Sequence, residues 1–502
     1  MVSVVVLQIA AVFSHVRAQG TEVVIYLDST RQAISGFGAA NIRPWRPDMT
    51  AGDIQKAFGT GPGQLGFTIL RLRVPYQTSE FGLNVPTAQS AHSMGVKIIA
   101  SPWTPPAWMK TSNDIVGGSL YDTSYASYAL HLKSFADYMA NNGVPLYAIS
   151  VQNEPDVQVT YESCDWDAPQ MLKFVKENAQ AVGTRIIVPE SFNFNPAISD
   201  AILNDTTAAS HVPIIGGHIY GGGLASYPLA AGKGKELWMT EHLVLDTSWS
   251  AVLATGKEIH DCLSAGMNAY IWWYIVRYYG PIGEDGNVTK RGYVMSQFSR
   301  FIRPGSHRIY ATRPAGSVFV TAYKGNSRVV IVAVNTGSSS IEQTMRIENL
   351  AGAIETVAPY VTSQAKNCAQ GNDIAVSNGS FTAILEGMSV STFVGDIVSG
   401  EIDAPTRPRT FVLAQNHPNP FNPVTVIRFD LPVTSRVSLT VYDLLGRQMT
   451  SLVDGILDPG YHKTEWNAHA AASGLYLYRL EVSALEDPAN AFVETRKMLL
   501  VR

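Results

Sequence analysis

The stretch AISVQNEP, residues 148–155, passes from an apolar run to a polar end within a few residues. Its first half has the small and β-branched side chains of a buried strand, and its second half brings Gln152, Asn153 and Glu154 together before Pro155. Where strands alternate with helices, functional side chains follow the carboxyl ends of the parallel strands. The stretch therefore predicts a parallel strand that ends at a functional site.

Seven similar runs flank this one between residues 33 and 303, and helical patterns separate them. In residues 125–142, for example, apolar side chains recur at helical spacing until Gly143 ends the pattern. Eight such strand-then-helix units predict an α/β protein, a (β/α)8 TIM barrel. The strand candidates are residues 34–41, 68–74, 97–103, 148–154, 185–190, 214–220, 236–241 and 269–275.

Strand patterns replace the helical period after residue 304. Residues 304–398 are predicted to form a side β-sandwich, which residues 22–32 join from the other end of the barrel. A linker at residues 399–410 contains Pro405 and Pro408, and residues 411–502 are predicted to form a small Ig-like β-sandwich. The clearest strand candidates are residues 318–323, 328–334, 343–347 and 392–394 in the first sandwich, and 426–429, 438–442 and 475–482 in the second.

The composition limits the classes of function. The chain of 502 residues is 46% hydrophobic and only 16% charged, which excludes a disordered chain and predicts several domains. Its 37 basic and 41 acidic residues give a net charge of −4, so no broad positive field attracts nucleic acid. Cys164, Cys262 and Cys368 cannot all pair, and their spacing matches no metal site.

The N-terminus predicts export. Residues 2–13 are apolar, and Val16 and Ala18 occupy positions that a signal peptidase reads, so residues 1–18 are predicted to be a signal peptide. A buried N-terminal strand is the alternative. The run is too short to cross a bilayer, and no other segment has the roughly 20 apolar residues required.

Two strand candidates end in a carboxylate. Glu154 ends the fourth, and Glu241 lies in LWMTEH, residues 237–242, at the end of the seventh. In a barrel, both side chains project into one mouth from opposite sides. Hydrolysis of a glycosidic bond uses such a pair, one to protonate the leaving oxygen and one to act at the anomeric carbon. A lone Glu at a strand end is usually a solvated loop charge, but two at these strands favour catalysis.

At these positions the chain resembles glycoside hydrolase family 30, a retaining family of clan A, over residues 22–398. The resemblance implies that Glu154 is the general acid/base and Glu241 the nucleophile, with their carboxyl groups about 5–5.5 Å apart. The motifs that carry it are NEP (153–155), TEH (240–242), GFG (36–38), LRVPY (72–76), SPWTPPAWMK (101–110), GHIY (217–220) and the run from Trp272 to Pro304.

The same resemblance implies roles for further residues. Asn153 is expected to hydrogen-bond the sugar 2-hydroxyl, and Arg73 to keep the nucleophile ionised, with a structural ion pair as the alternative for Arg73. The remaining cleft residues are expected to contact the sugar, although Trp108 is equally compatible with core packing. They are Trp103, Trp108, His218, Tyr220 and Trp273.

The eighth strand indicates the substrate. WWYIVRYYGP (272–281) and EDGNVTKRGY (284–293) resemble the glucuronoxylan endoxylanases, in which an Arg and a Tyr hold the carboxylate of a glucuronic acid branch. The matching residues are Arg277 and Tyr279. A guanidinium suits a carboxylate because it offers paired donors. The alternative is that Arg277 only caps a loop or pairs with Glu284. Leu243 replaces an aromatic residue that such enzymes often carry, which leaves the dependence on the branch open.

The expected function is therefore a retaining endo-β-1,4-xylanase acting on glucuronoxylan as a monomer, without metal or cofactor. One alternative is a family 30 enzyme acting on another β-linked glycan, such as a β-1,6-glucan or a glucosylceramide-like substrate. The other is a non-catalytic glycan-binding protein of the cell surface. The presence of both carboxylates disfavours the second alternative.

The last unit resembles a type A sorting domain of the type IX secretion system over residues 411–502. The motifs are NHPNPFNP (416–423), VYDLLGR (441–447) and ASGLY (472–476). The resemblance implies that the secretion machinery is a partner and that the protein is secreted or displayed on the outer-membrane surface. A carbohydrate-binding module is the alternative, but Trp466 is the only Trp in this unit, and sugar platforms usually need several exposed rings.

Overall fold

The computed structural model describes residues 18–314, 316–349, 352–398, 408, 410–485 and 491–501. The chain forms two compact units, Met1–Val398 and Ser399–Arg502. The expected signal peptide lies outside the described residues except for Ala18, and most of the expected linker lies outside them as well.

Eight parallel strands close into a barrel, as the sequence predicts. Each strand overlaps one of the eight candidate runs, and the last strand pairs with the first through Ala269 and Gly36. Their residues are almost all buried, because side chains fill the barrel inside and helices cover it outside. After β1 (Ala18–Gln19) and β2 (Val23–Ala33), the barrel strands are β3 (Gly36–Ala40), β4 (Ile69–Val74), β5 (Lys97–Pro102), β6 (Ala148–Ser150), β7 (Ile186–Ser191), β8 (Ile214–His218), β9 (Glu236–Glu241) and β10 (Ala269–Tyr274).

Helices connect the barrel strands. A capping box between Thr50 and Asp53 begins the first, and α3 buries Tyr128, Leu132, Phe135 and Met139 on one face. The helices are α1 (Ala51–Phe58), α2 (Val85–Ser93), α3 (Tyr125–Asn141), α4 (Ala168–Asn178), α5 (Pro196–Asn204), α6 (Thr206–His211), α7 (Pro228–Gly232), α8 (Trp249–Ser264) and α9 (Lys290–Ser299). Short 3₁₀ turns span Thr78–Asn84, Ala107–Met109, Asp122–Ser124 and Ala179–Val182.

A side β domain packs against α8 and α9. Strand β2 precedes the barrel and pairs with β11 and β14 of this domain. Buried hydrogen bonds such as Thr392 Oγ1 to the Gln297 carbonyl (2.7 Å) fasten the domain to α9. Its other strands are β11 (His307–Ala311), β12 (Val318–Lys324), β13 (Arg328–Asn335), β14 (Ile341–Glu348), β15 (Thr356–Thr362), β16 (Ala369–Gln370), β17 (Ile374–Ala375), β18 (Ser380–Leu385) and β19 (Ser389–Asp396).

The second unit consists of two antiparallel sheets around one core. The sheet orders are β20-β21-β24 and β23-β22-β25-β26, and alternate residues of β21, β22 and β25 are buried in the core between the sheets. Trp466 is 6% exposed and packs against Phe421 and Tyr476. The strands are β20 (Val412–Leu413), β21 (Val424–Leu431), β22 (Ser435–Tyr442), β23 (Gln448–Leu457), β24 (Gly460–Asn467), β25 (Gly474–Ala484) and β26 (Ala491–Leu500).

Within the described part of the chain, no helix combines the length and the apolar character needed to cross a membrane.

Candidate active site

The two carboxylates meet in the mouth of the barrel. Glu241 is the last residue of β9, and Glu154 follows β6 by four residues. One carboxylate oxygen of each lies within 4.8 Å of the other, and a ring nitrogen of His218 lies within the same distance of both. Both glutamates are about 5% exposed (Glu154 5%, Glu241 6%). The barrel therefore brings together residues that are 87 positions apart in the chain.

The backbone at Glu154 has an uncommon conformation. Its φ is +48°, in the left-handed region that residues with a side chain rarely adopt, and Glu190 has φ +57°. The Glu154 N–H donates to the Glu190 carbonyl oxygen at 3.0 Å, which ties the ends of β6 and β7 together. Strained conformations of this kind cluster at functional sites, where the surrounding structure enforces them.

Glu241 accepts two strong hydrogen bonds. The Arg71 Nη1 atom donates to Oε2 at 2.5 Å, and the Tyr220 hydroxyl donates to Oε1 at 2.9 Å. The His218 Nε2 atom lies 3.9 Å from Oε2. Arg71 is fully buried, so its charge acts on Glu241 with little screening by water. These contacts hold the Glu241 carboxylate in one orientation.

Glu154 has a different set of partners. The His218 Nδ1 atom lies 3.0 Å from Oε1, and the Tyr161 hydroxyl donates to Oε2 at 3.0 Å. Tyr161 is exposed, whereas His218 is fully buried. The imidazole therefore lies between the two carboxylates, bonded to Glu154 and 3.9 Å from Glu241.

The environment shifts the pKa values of all three groups. Burial raises the pKa of the Glu241 carboxyl, against the lowering effect of the His218 and Arg71 charges. Burial also acts to raise the pKa of the Glu154 carboxyl, but the hydrogen bond and charge of His218, together with Tyr161 and Arg71, outweigh it, so that this pKa is lowered. Burial lowers the pKa of His218, and the charge of Glu241 together with the contact to Glu154 overcomes that effect and raises it. Together these shifts favour a proton on His218 over one on Glu154.

The arginine beside Glu241 is Arg71, so the expectation for Arg73 is wrong. Arg73 instead bonds Glu162 at 2.7 Å and Glu80 at 3.1 Å, the structural ion pair that was its alternative. Residues two apart on a strand face the same side and lie about 6.6 Å apart along it. Both arginines therefore face the barrel interior, but only Arg71 lies at the depth of Glu241.

Sequence reasoning missed three further members of the site: Arg71, Tyr161 and Glu190. Glu190 is fully buried in β7, and its Oε2 atom lies 3.4 Å from Arg71 Nη2. Its Oε1 atom has no hydrogen-bond partner within the described part of the chain. The signal was present, because the fifth strand candidate ends at Glu190 just as the fourth ends at Glu154.

Asn153 is held by the same arginine. Its Oδ1 atom accepts a hydrogen bond from Arg71 Nη2 at 2.7 Å. A guanidinium can only donate, so the Asn153 amide is oriented with its NH2 group away from Arg71. That group is then free to donate to a ligand in the cleft.

Aromatic side chains surround the carboxylates. Trp103 and Trp273 have their ring centroids 5.6 Å apart, and the Arg71 guanidinium lies 4.9 Å from the Trp103 ring centroid. Tyr220 stacks on Phe192. Trp108 is 63% exposed, so the alternative that it only fills the core is wrong.

A charged cluster lies on the loop after β10. Arg277 Nη1 is 2.6 Å from Glu284 Oε1, and the Arg46 guanidinium contacts the same oxygen. Arg277 also hydrogen-bonds the side chain of Tyr279, which is buried. The hydrogen bond from Arg277 lowers the pKa of the Glu284 carboxyl, with a smaller effect of Arg46. The pairing proposed as the alternative for Arg277 is therefore present, and Arg46 is an unexpected third member.

Glu154, His218 and Glu241 also have the spacing of a metal site. However, the Arg71 guanidinium already contacts Glu241 and carries a permanent positive charge. A second cation at this place is opposed by Arg71, so these residues suit proton transfer better than metal binding.

Comparison with known proteins identifies the relatives of this chain. The glycosyl hydrolase family 30 TIM-barrel domain matches residues 72–236. The chain is 41% identical over 390 residues to glucuronoxylanase XynC of Bacillus subtilis (strain 168), covering 74% of this chain and 92% of that protein. It is also similar to the crystal structure of a family 30 subfamily 8 xylanase, Xyn30A, from Clostridium acetobutylicum, with 40% identity and a TM-score of 0.70 over 75% of this chain and 99% of that one. A family 30 endoxylanase from Clostridium papyrosolvens C71 matches with the same identity and TM-score over 75% of this chain and 100% of that one.

Proposed function

Because the chain belongs to glycoside hydrolase family 30, we propose that it is an endo-β-1,4-xylanase that cleaves xylan carrying glucuronic acid branches, with retention of the anomeric configuration. The names of its relatives, a glucuronoxylanase and two xylanases, support this substrate class. One observation carries the reaction type: two buried carboxylates whose oxygens lie within 4.8 Å of each other. Retaining glycosidases hold their carboxyl groups about 5–5.5 Å apart, whereas inverting enzymes leave a wider gap for water.

In the first step, Glu241 attacks the anomeric carbon. The bond from its oxygen to this carbon forms as the glycosidic bond breaks, and Glu154 donates its proton to the leaving oxygen. Arg71 and Tyr220 fix the attacking carboxylate through their hydrogen bonds. In the second step, Glu154 takes a proton from water, which displaces Glu241 from the sugar.

His218 supports the proton on Glu154. The 3.0 Å contact between His218 Nδ1 and Glu154 Oε1 holds one proton, as an ion pair or as a neutral pair. Sugar in the cleft excludes water, and loss of water disfavours the separated charges. Substrate binding therefore favours the neutral pair, in which Glu154 carries the proton that the leaving group needs.

Asn153 is placed to stabilise the transition state. Its amide NH2 group is directed away from Arg71, because Oδ1 accepts the hydrogen bond from that guanidinium. A hydrogen bond from this group to the sugar 2-hydroxyl strengthens as positive charge develops at the anomeric carbon.

Arg277, with Tyr279, binds the carboxylate of the branch. Its Nη1 atom contacts Glu284, and its other donors remain for the uronate. An Arg277–Glu284 pair alone has no net charge and attracts an anion weakly. Arg46 contacts the same Glu284 oxygen and restores one positive charge to the cluster. We therefore include Arg46 among the residues that select the branch.

Two experiments test this function. Glu241→Gln should fold normally and lose turnover, while Glu241→Ala with azide should release a glycosyl azide of inverted configuration. Wild-type protein should release products from glucuronoxylan that each carry one glucuronic acid branch. Full turnover by Glu241→Gln contradicts the mechanism, and equal cleavage of a β-1,6-glucan contradicts the substrate.

We further propose that residues 411–502 direct export by the type IX secretion system, so that the enzyme is secreted or held at the outer-membrane surface. The burial of Trp466 supports this role over a carbohydrate-binding module, because a buried ring offers no platform for sugar. In a host with this secretion system, a chain ending at residue 398 should stay in the periplasm. It should keep its activity on soluble xylan and its binding to insoluble xylan; lost binding favours the module instead.

A further inference from the structure

A second polar cavity lies between the barrel and the side domain. Its volume is about 540 Å³, within the range of small-ligand sites. Helix α8 forms one wall, and β2, β11, β12 and the segment between β11 and β12 contribute the rest. The charged and aromatic residues that line it are Arg31, Lys257, His260, Asp261, Arg308, Tyr310, Arg313 and Phe319.

The cavity is far from the catalytic carboxylates. Helix α8 begins eight residues after Glu241 and leads away from the barrel mouth. At about 1.5 Å per residue, its 16 residues extend about 24 Å, and the cavity residues Lys257 to Asp261 lie in its second half. A ligand here cannot reach the reacting atoms.

The lining carries a strong positive charge. Four of its side chains are cationic and only Asp261 is acidic, and Lys257 is already paired with Asp261 at 2.6 Å. In the part of the chain that the structure describes, no carboxylate lies within 4.0 Å of the guanidinium of Arg31, Arg308 or Arg313. In a chain with a net charge of −4, this local excess is unusual.

His260 adds an unsatisfied polar atom. Its ring is half-buried, and its Nδ1 atom is buried without a hydrogen-bond partner among the residues that the structure describes. Burial is the main cause that lowers the pKa of His260 to about 4; the charge of Asp261 acts to raise this pKa, and the charges of Lys257, Arg308 and Arg313 act to lower it. The imidazole is therefore neutral at pH 7 and does not repel the cations beside it.

The aromatic rings do not offer open faces for stacking. The Lys257 ammonium lies 4.2 Å from the Phe319 ring centroid, and the Arg31 guanidinium lies 5.6 Å from that of Tyr310. An uncharged xylan segment thus finds little to bind here. The cavity selects by charge, and three guanidiniums without carboxylate partners suit a carboxylate.

We propose that this cavity is a second, non-catalytic binding site for the carboxylate of a glucuronic acid branch on xylan. The proposal rests on the substrate class given above. A polymer held at one branch by this cavity presents its other branches to the barrel mouth at a raised local concentration. The site also offsets the repulsion between an acidic enzyme and an acidic polymer.

The test uses full-length Glu241→Gln protein, which does not consume the ligand. By calorimetry, a xylotetraose with one glucuronic acid branch should bind at two sites, and unbranched xylotetraose should not occupy the second. The double variant Arg31→Gln/Arg313→Gln in this background should bind at one site, or at the second at least about tenfold more weakly. Arg328→Gln is the matched control, because Arg328 is an exposed side-domain arginine paired with Asp396. Both replaced arginines are exposed, so the double variant is expected to fold.

Two further outcomes overturn the proposal. It fails if the double variant keeps both sites, or if inorganic phosphate competes as well as the branched sugar, which indicates a general anion site. With the double variant on an active background, the KM for polymeric glucuronoxylan should rise several-fold, and kcat/KM for the short branched substrate should stay unchanged. Absence of activity on glucuronoxylan in the unsubstituted enzyme refutes the proposed function instead, so the two failures are distinguishable.

Discussion

Replacing Arg71 by methionine tests the electrostatic basis of the nucleophile. Arg71 is fully buried, contacts Glu241 at 2.5 Å and lies 3.4 Å from Glu190. The variant leaves two buried carboxylates without their cation. Breaking a buried ion pair costs about 3–5 kcal/mol, and a Coulomb attraction of about 4 kcal/mol at 4 Å with an effective dielectric of 20 has the same size. We expect a loss of stability of this order at neutral pH.

The same change shifts the pH dependence. Arg71 lowers the pKa of Glu241, and burial raises it, so that removing Arg71 leaves the raising effect unopposed by this cation. Ionised Glu241 is the form that attacks, so the acidic limb of kcat/KM should move to higher pH. The loss of stability arises because an ionised Glu241 is buried without its cation. This loss is present above the pKa of the Glu241 carboxyl and should shrink as the pH falls through that pKa.

Arg73→Met is the matched control, because Arg73 lies two residues further along β4 and pairs with Glu162 and Glu80. It should leave the acidic limb in place. The assays are pH–rate profiles on glucuronoxylan and thermal unfolding at neutral and acidic pH. If Arg71→Met does not fold, Arg71→Lys keeps a charge without the paired donors and should shift the limb less. An acidic limb that moves in the Arg73 variant and not in the Arg71 variants refutes the reasoning.

The remaining predictions concern the nucleophile and the branch. Tyr220→Phe removes the 2.9 Å hydrogen bond to Glu241 and should lower kcat/KM by about 10- to 100-fold on branched and unbranched substrates alike; unchanged kinetics contradict its role. Arg277→Ala should lower kcat/KM on glucuronoxylan on the order of 100-fold and hardly affect unbranched xylo-oligosaccharides, whereas equal losses on both contradict branch recognition. Arg46→Gln should reduce the preference for the branched substrate, and adding Glu284→Gln should restore it, because the cluster regains its positive charge. A double variant no better than Arg46→Gln shows that Glu284 acts as a structural support instead.

Much of the barrel follows from local sequence. Each strand is a short apolar run that is buried on both faces, and this pattern is visible without any knowledge of its neighbours. Glu154 and Glu241 stand at the ends of two such runs, so their meeting at the mouth follows from barrel closure alone. In the side domain, β15 and β18 were not among the strand candidates. Only alternate residues of β18 are buried, and β15 is only partly buried, so neither strand has the continuous apolar run of a barrel strand.

The sequence by itself determined the order of strands and helices. It also identified Glu154 and Glu241 as a pair, and Arg277 on the loop after β10 as a candidate for binding the branch. Only the tertiary structure decided that Arg71 rather than Arg73 touches Glu241, because depth within a barrel depends on the stagger of strands that are distant in sequence. It also decided that Arg46 and Arg277 share Glu284, and that side chains of α8, β2 and β11 form one positive cavity. Local sequence patterns indicate which residues are buried and whether a segment is a strand or a helix. Which residue pairs with a given charge depends on how segments that are distant in sequence pack together.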